Sequence, residues 1–365
     1  MKEQWNFTWI TTFEEIRDPQ FVAKWDGWVR KSESGHVFFL PEMIFSWLET
    51  YKSIRLISPQ FLIGQHVDGA QVFLPLISEN GSWKLGFRRA ILPVGYCEFD
   101  YHDPIIIQIH SEEHLETFWE SLIRELKRKW NFDFDYVEIT RIRNQLIDDG
   151  EQHIHSDEVP FLEIDKLTNV EKLLEGGKNK YFRRNLTRCE RYLQGKGEVL
   201  HEVITGIPGD QISTYITDFY HEHHRRWPSS NTPCSFYLKL AQHCLPKGIL
   251  GLSRLIAGTE TVSWLFMLFM NKTALLYVQA HKQDKEGGTL YSPGNLHMKY
   301  IIEWCIQSGI ERIEFGRGNE QWKKQWASEI FPLFTTRWVQ PTLRAKICMY
   351  FIEQVLPMVK KLKKY

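Results

Sequence analysis

YSPGNLHMKYIIEWCIQSG, Tyr291 to Gly309, is the stretch on which the fold turns. Ser292 stands at an N-cap position and Pro293 at the first helical position, where a missing N–H leaves nothing unpaired. Gly294 follows, where backbone can approach a ligand closely. Met298, Ile301, Ile302, Cys305 and Ile306 recur on one helical face, so the pattern predicts a helix over Pro293 to Ser308. The run before it, Thr273 to His281, reads as a strand, which puts the helix start beside a strand's carboxyl end, where open α/β sheets bind phosphates. No acidic residue precedes Glu303 in this helix, so free amides and the positive end of the dipole suit a pyrophosphate. The plain alternative is a well-capped helix without a ligand.

Working outward, three strands precede this unit: Leu250 to Ala257, Thr261 to Met270 and Thr273 to His281, joined by hairpin-sized connections. Before them lie helices over Tyr181 to Gln194, Asp210 to Trp227 and Ser235 to Cys244. After the Pro293 helix come a strand at Arg312 to Phe315, a short helix at Gln321 to Ala327 and a strand near Phe334 to Val339. The first half shows a similar order. Strand-like runs at Gln60 to His66 and Gln71 to Ser78 flank the turn Val67-Asp68-Gly69, another begins at Trp83, and Ile105 to Ile109 leads into a helix near Glu112 to Trp130 and a strand around Phe134 to Ile142. Strand, helix, strand predicts a crossover. The equivalent helix start there, Ser111-Glu112-Glu113, would repel a phosphate, so one ligand site in the second half is expected. Polar, aperiodic Asp148 to Glu158 marks the boundary. The expected plan is α/β with two tandem domains, residues 1–155 and 156–340, each a mixed sheet with flanking helices, followed by a C-terminal helix and basic tail over 341–365.

A chain of 365 residues, 43% hydrophobic and 25% charged, has the composition of a globular protein of about two domains. The 14 tryptophans suit thick aromatic cores, with grooves for flat ligands as the other reading. With 45 basic and 45 acidic residues there is no global field toward DNA, and any polyanion site must be local. No apolar run approaches the roughly 20 residues that span a bilayer, and the first residues do not read as a signal peptide, so a cytoplasmic chain is expected. The apolar, then basic segment Arg344 to Tyr365 reads as a docked helix with solvated lysines, with weak peripheral membrane contact as the alternative. The six cysteines show no close pairs, which argues against a disulfide framework or a zinc cluster. His221, Glu222, His223 and His224 lack the i, i+4 spacing of a metal helix, so no metal is expected.

Read together, YFRRNLTRCERYLQGKGEV, FYHEHHRRW, YSPGNL and IEFGRGNEQWKKQW resemble the CelD/BcsL-type acetyltransferase-like proteins of cellulose biosynthesis, in the GNAT superfamily. The resemblance covers Tyr181 to Trp326 and, more loosely, FFLPEMIFSW, VFLPLI and FDYHDPI. It implies a double-GNAT fold, related to Fem-type transferases, in which the fourth and fifth strands splay to admit the pantetheine arm of acetyl-CoA or another acyl-CoA. The acceptor would attack the thioester directly. Carried over by position, Ser292, Pro293, Gly294, Asn295 and Leu296 form the pyrophosphate site, and Glu320, Trp322, Lys323 and Trp326 stand where the family has E, Y, K and W. Glu314 replaces the usual Asp, and Trp322 the usual Tyr, which leaves the proton donor unassigned.

For the base, His281, Asp284 and Glu314 lie where the cleft would open, and Lys323 is a candidate electrostatic element for phosphate or oxyanion. Each has a plain alternative, such as Glu314 pairing with Arg317. Arg184, Arg188 and Arg191 form a stripe that suits an anionic substrate or a solvated face. His223, Arg226 and Trp227 match the family's LHxxRW and suit a sugar site or a helix end. The resemblance thus implies an acyl-CoA-dependent N- or O-acyltransferase acting on an amino-sugar, nucleotide-sugar or lipid-linked sugar of cell-surface polysaccharide synthesis. The rivals are a Fem-like transferase using aminoacyl-tRNA and a non-catalytic accessory protein of polysaccharide assembly.

Overall fold

The computed structural model describes residues 5–81, 88–108, 113–130, 133–143, 153–164, 167, 169–175, 180–206, 211–282, 284–286, 289–291 and 293–362. The chain begins with β1 (Trp5–Ile10), α1 (Pro19–Lys31), α2 (Pro41–Tyr51), β2 (Leu56–His66), β3 (Gln71–Asn80), β4 (Arg89–Pro93), β5 (Ile105–Gln108), α3 (Glu113–Trp130) and β6 (Tyr136–Ile142). It continues with β7 (His153–Glu163), α4 (Val170–Leu174), α5 (Lys180–Gln194), β8 (Val199–Thr205), α6 (Gln211–Arg226), α7 (Cys234–Cys244), β9 (Leu250–Ala257), β10 (Glu260–Met270) and β11 (Thr273–His281). Then follow β12 (Asp284–Glu286), β13 (Thr289–Tyr291), α8 (Pro293–Gln307), β14 (Arg312–Glu314), α9 (Gln321–Trp326), β15 (Glu329–Val339), α10 (Leu343–Tyr350) and α11 (Leu356–Leu362).

Local chemistry accounts for many of these bounds. The Asp18 carboxylate accepts from the Phe21 amide and Pro19 opens α1, which buries Trp25, Trp28 and Val29. Asn271 and Lys272, both at positive φ, close the tight β10–β11 hairpin. The tryptophan excess goes largely into cores, with Trp25, Trp47, Trp119 and Trp326 fully buried.

The chain divides into two compact units, residues 1–156 with 332–365, and 157–331. In the first, the strand order is β1-β2-β3-β4-β6-β15, with β5 on β3; β4 and β6 pair parallel and the other pairs are antiparallel. In the second, the order is β8-β9-β10-β11-β14-β7, with β11 and β14 the parallel pair. The two sheets therefore repeat one plan, mixed strands flanked by helices. In each, the strand beyond the parallel pair comes from elsewhere in sequence: β7 follows β6 yet pairs with β14, and β15 follows β14 yet pairs with β6.

This strand arrangement corrects two expectations. Phe334 to Val339, expected as the last strand of a 156–340 domain, pairs along β6 and belongs to the first unit, as does the segment 341–365 up to the last described residue. Ile105 does not begin a parallel crossover into β6; β5 turns back antiparallel on β3, and the parallel partner of β6 is β4. The polar stretch read as the boundary holds the division between the two units, after residue 156, and is strand from His153 onward. The strand expected from Trp83 falls on residues 82–87, outside the described residues, as do Ser111 and Glu112. The tail helix α10 docks by Ala345, Cys348 and Met349, with Arg344 Nε 3.0 Å from Asp135 Oδ1.

Candidate active site

The second unit opens where its parallel pair ends. The β11–β14 ladder joins Thr273 to Arg312, Ala274 to Ile313 and Leu275 to Glu314, and stops there while β11 runs on to His281. Just beyond that point the β10–β11 register shifts between Phe266 and Met267, whose partners are Val278 and Leu276, so Tyr277 is the extra residue of a bulge. Tyr277 was not singled out from sequence. A bulge has no composition signal of its own, and the residue reads there as one more apolar strand position.

Three elements converge at the far end of β11. Helix α8 starts with Pro293 buried and no acidic residue in its first turn. A Cβ built at Gly294 would lie 3.0 Å from His281 Nδ1, so only glycine lets the helix start close over that imidazole without a shift. From the C-terminal turn of α6, Arg226 Nη1 donates to His281 Nε2, and its guanidinium lies 4.8 Å over the Trp227 ring. His223, buried one turn earlier, packs 4.9 Å from Trp227 and 5.4 Å from Phe219. His281, His223, Arg226, Trp227 and Gly294 are thus brought together, though the sequence scatters them over three segments. Arg226 is a permanent donor, so His281 keeps its acceptor lone pair on Nε2 and is held neutral; burial, then the Arg226 charge, pushes its pKa down to about 4. Burial and the neighbouring His224 do the same to His223, also to about 4. Leu296 and Asn295 follow Gly294, Leu296 fully buried against Cys189, Leu193 and Leu255. Ser292 lies outside the described residues.

Beneath α8 a polar chain crosses the sheet. His297, buried, places Nε2 2.8 Å from Ser253 Oγ and Nδ1 2.9 Å from Ser263 Oγ, and His201 Nε2 is 2.8 Å from the same Ser253 hydroxyl. Ser263 is the cross-strand partner of His281, so this chain supports the strand that carries the imidazole. His297 reads from sequence as an interior helix position, and its hydroxyl partners lie on strands far away in the chain.

The remaining candidates fall elsewhere. Glu314, buried at the end of β14, ion-pairs with Arg312 Nε at 3.3 Å, and Arg317 lies beside Asp157. Asp284 pairs with Tyr291 in the β12–β13 ribbon, and its side chain is outside the described ones. Lys323 is buried, and its Nζ donates to the Gly316 and Arg317 carbonyls and meets Glu320 Oε2 at 2.9 Å. Those three acceptors match its three N–H donors, so this ammonium holds the loop between β14 and α9 together. Gly316 and Gly318 give that loop its positive-φ turns, and the Gly318 amide donates to Glu158 O at 2.8 Å. Trp322 packs edge-on to Phe315 and Trp326 to Phe182, so both belong to the core under the loop. Lys323→Met is expected to lower unfolding stability by about 2 kcal/mol or more, because two loop carbonyls and a carboxylate lose their donor; urea unfolding measures it. Arg184 and Arg188 are exposed on α5, with Arg188 Nη2 3.2 Å from Asn185 Oδ1. Glu222 is bonded to Arg225, away from His223.

Comparison with known proteins fits this geometry. No curated protein matches the chain. Among solved structures, FemX aligns with a TM-score of 0.56 at 12% identity, over 87% of this chain and 96% of that one. L-PGS from Bacillus licheniformis aligns with 0.54 at 12% identity, over 92% and 96%. The C-terminal domain assigned to a lysylphosphatidylglycerol synthetase from Agrobacterium fabrum gives 0.55 at 12%, over 92% and 96%. At such identities the likeness is one of fold. Residues 180–324 match the family model described as acetyltransferase (GNAT) domain, and they run from α5 into α9, including α6, β11 and α8, which meet at His281. Within the second unit, the chain is thus similar in sequence to acetyltransferase (GNAT) domains over residues 180–324.

Proposed function

We propose that the chain is an acyl-CoA-dependent N- or O-acyltransferase whose donor lies with its pyrophosphate on the first turn of α8 and its pantetheine arm between β11 and β14. The observation that carries this reading is the joint geometry of a parallel pair that parts after Leu275 and a helix start, free of acids, packed onto His281. Backbone amides of residues 294–296 would hold phosphate oxygens, and the edge of β11 beyond its ladder with β14 would receive the amide-rich arm. The acceptor nucleophile attacks the thioester carbonyl and the thiolate of CoA leaves. His281 takes the acceptor's proton once Arg226 swings from Nε2 to an anionic group of the acceptor, a move that frees the acceptor lone pair and removes the lesser of the two causes that lower the imidazole's basicity. Tyr277, on the bulge, is the candidate to return a proton to the leaving thiolate. Trp227 offers a flat face for a sugar beside Arg226.

Following the CelD/BcsL-like motifs, the acceptor is a sugar or sugar-nucleotide of cell-surface polysaccharide synthesis, and the chain works in the cytoplasm, its first unit serving the acceptor side. Titration with acetyl-CoA and longer acyl-CoAs tests the donor: micromolar binding and slow thioester hydrolysis without acceptor are expected. A second reading, transfer from aminoacyl-tRNA, is favoured by the likeness to FemX and L-PGS. Binding of aminoacyl-tRNA with no binding of any acyl-CoA would overturn the first reading in favour of the second.

A further inference from the structure

In the first unit, far in sequence from the cleft residues, His66 and Asp68 flank the β2–β3 turn and His114 lies in the first turns of α3. Their donor atoms meet: His66 Nδ1 is 2.7 Å from Asp68 Oδ1, and His114 Nε2 is 2.7 Å from Asp68 Oδ2. One ligand atom from each lies within 4.8 Å of the others, and the two imidazole rings are 4.6 Å apart. Asp68 Oδ1 also accepts from the Ala70 amide at 3.1 Å, which fixes the carboxylate on its turn. The turn itself is closed by the His66 amide donating to Ala70 O at 2.8 Å and the Gly69 amide to His66 O at 3.0 Å.

His66 gives the arrangement its meaning. It is 8% exposed, wedged against Trp5, and neither ring nitrogen makes a hydrogen bond: Nδ1 approaches Asp68 closely but out of line. A buried imidazole with an unbonded nitrogen aimed at a carboxylate and a second imidazole is costly as a hydrogen-bonded staple, and natural as one of three ligands turned toward a common point.

We propose that His66, Asp68 and His114 bind one divalent transition-metal ion, with Zn2+ the fitting probe. Two imidazoles and one carboxylate form a borderline donor set, which suits zinc and disfavours magnesium and calcium, whose shells are built from oxygen. Metal–ligand bonds of about 2.0–2.2 Å require the donors to move apart by roughly half an ångström, which the partly exposed Asp68 at the hairpin tip permits. The solvent side of Asp68 leaves room for water as a further ligand. The ion would pin the β2–β3 turn to the start of α3, so its effect is on the stability of the first unit rather than on the acyl-transfer cleft.

The test uses the full chain, stripped with chelator, dialysed against Zn2+ and analysed for bound metal and thermal unfolding. One zinc per chain is expected, with the unfolding temperature raised by about 5 °C at saturating ion. Asp68→Asn, which keeps volume and hydrogen-bonding capacity but loses the anionic ligand, is expected to lose at least tenfold in affinity and most of the thermal shift, while its metal-free unfolding temperature stays near that of the parent. His114→Gln is the second variant, read the same way. Absence of bound zinc in the parent chain, or equal zinc and equal thermal shift in both variants, would overturn the proposal.

Discussion

Gly294→Asp is expected to weaken acyl-CoA binding at least a hundredfold while leaving the fold in place. The first turn of α8 carries the N–H groups that a helix start leaves without intrahelical partners, no acidic side chain and the positive end of a fifteen-residue helix dipole. A carboxylate there meets the same amides as the donor's pyrophosphate and repels it, and about 3 kcal/mol of lost interaction corresponds to a factor above 100. The Cβ adds a second insult, since it falls 3.0 Å from His281 Nδ1 and shifts the imidazole that Arg226 holds. Aspartate in a first helical turn favours the helix itself, so the unfolding midpoint should move little. Gly294→Ala separates the two effects. It retains the steric contact without the charge, and should cost about tenfold or less. Isothermal titration with acetyl-CoA, beside urea unfolding of the same variants, checks both parts; an aspartate variant that binds like the parent would refute the placement of the pyrophosphate on α8.

Much of this site was legible before the fold was known, and the reason lies in how its parts are encoded. The Pro293-Gly294 helix start is local chemistry, so a reader of the sequence finds it directly. Strands β9 and β11 are apolar runs closed by turn residues and helix α5 has one regular apolar stripe, and their bounds lie within a residue of expectation. The contact of His281 with Arg226 and Gly294 is not local. It joins three elements through packing of α6 and α8 at one end of β11, and sequence spacing carries no trace of it. Lys323 shows the opposite difficulty: its place in the motif suggested a ligand, but the two positive-φ glycines before it bend the loop so that carbonyls surround the ammonium. The exchange of β7 and β15 escaped for a topological reason. Each has ordinary strand residues, and nothing in an alternating pattern states which of two similar sheets a strand will join. Helix α2 went unread because it buries eight of its eleven residues and so lacks a polar stripe.

The buried histidines predict a sharp loss of stability in mild acid. His201, His223 and His281 are each pushed down to about 4, and His36, His102 and His297 are driven well below their ordinary value, in every case chiefly by burial. The folded chain therefore holds these rings neutral where the unfolded chain, with pKa near 6.5, takes up protons. Their contribution is fully present above about pH 6.5 and is lost progressively as pH falls toward 4. For the well-buried His223 and His281, the drop from 6.5 to about 4 corresponds to about 3 kcal/mol each at the acid end of that window. Urea unfolding at pH 7.5, 6.0, 5.0 and 4.5 should show a midpoint that is flat at first and then falls steeply. His223→Phe keeps an aromatic ring against Phe219 and Trp227 but cannot titrate. It should flatten the acid limb by up to about 3 kcal/mol between pH 6.5 and 4, with a smaller change at pH 7.5. An unchanged acid slope in that variant would mean that His223 reaches solvent and charges in the native state, and would sink this account of the acid sensitivity. Because His281 titrates in the same window beside Arg226, acyl-CoA binding measured down the series should fall before global unfolding, as imidazolium and guanidinium are forced apart under the α8 helix start.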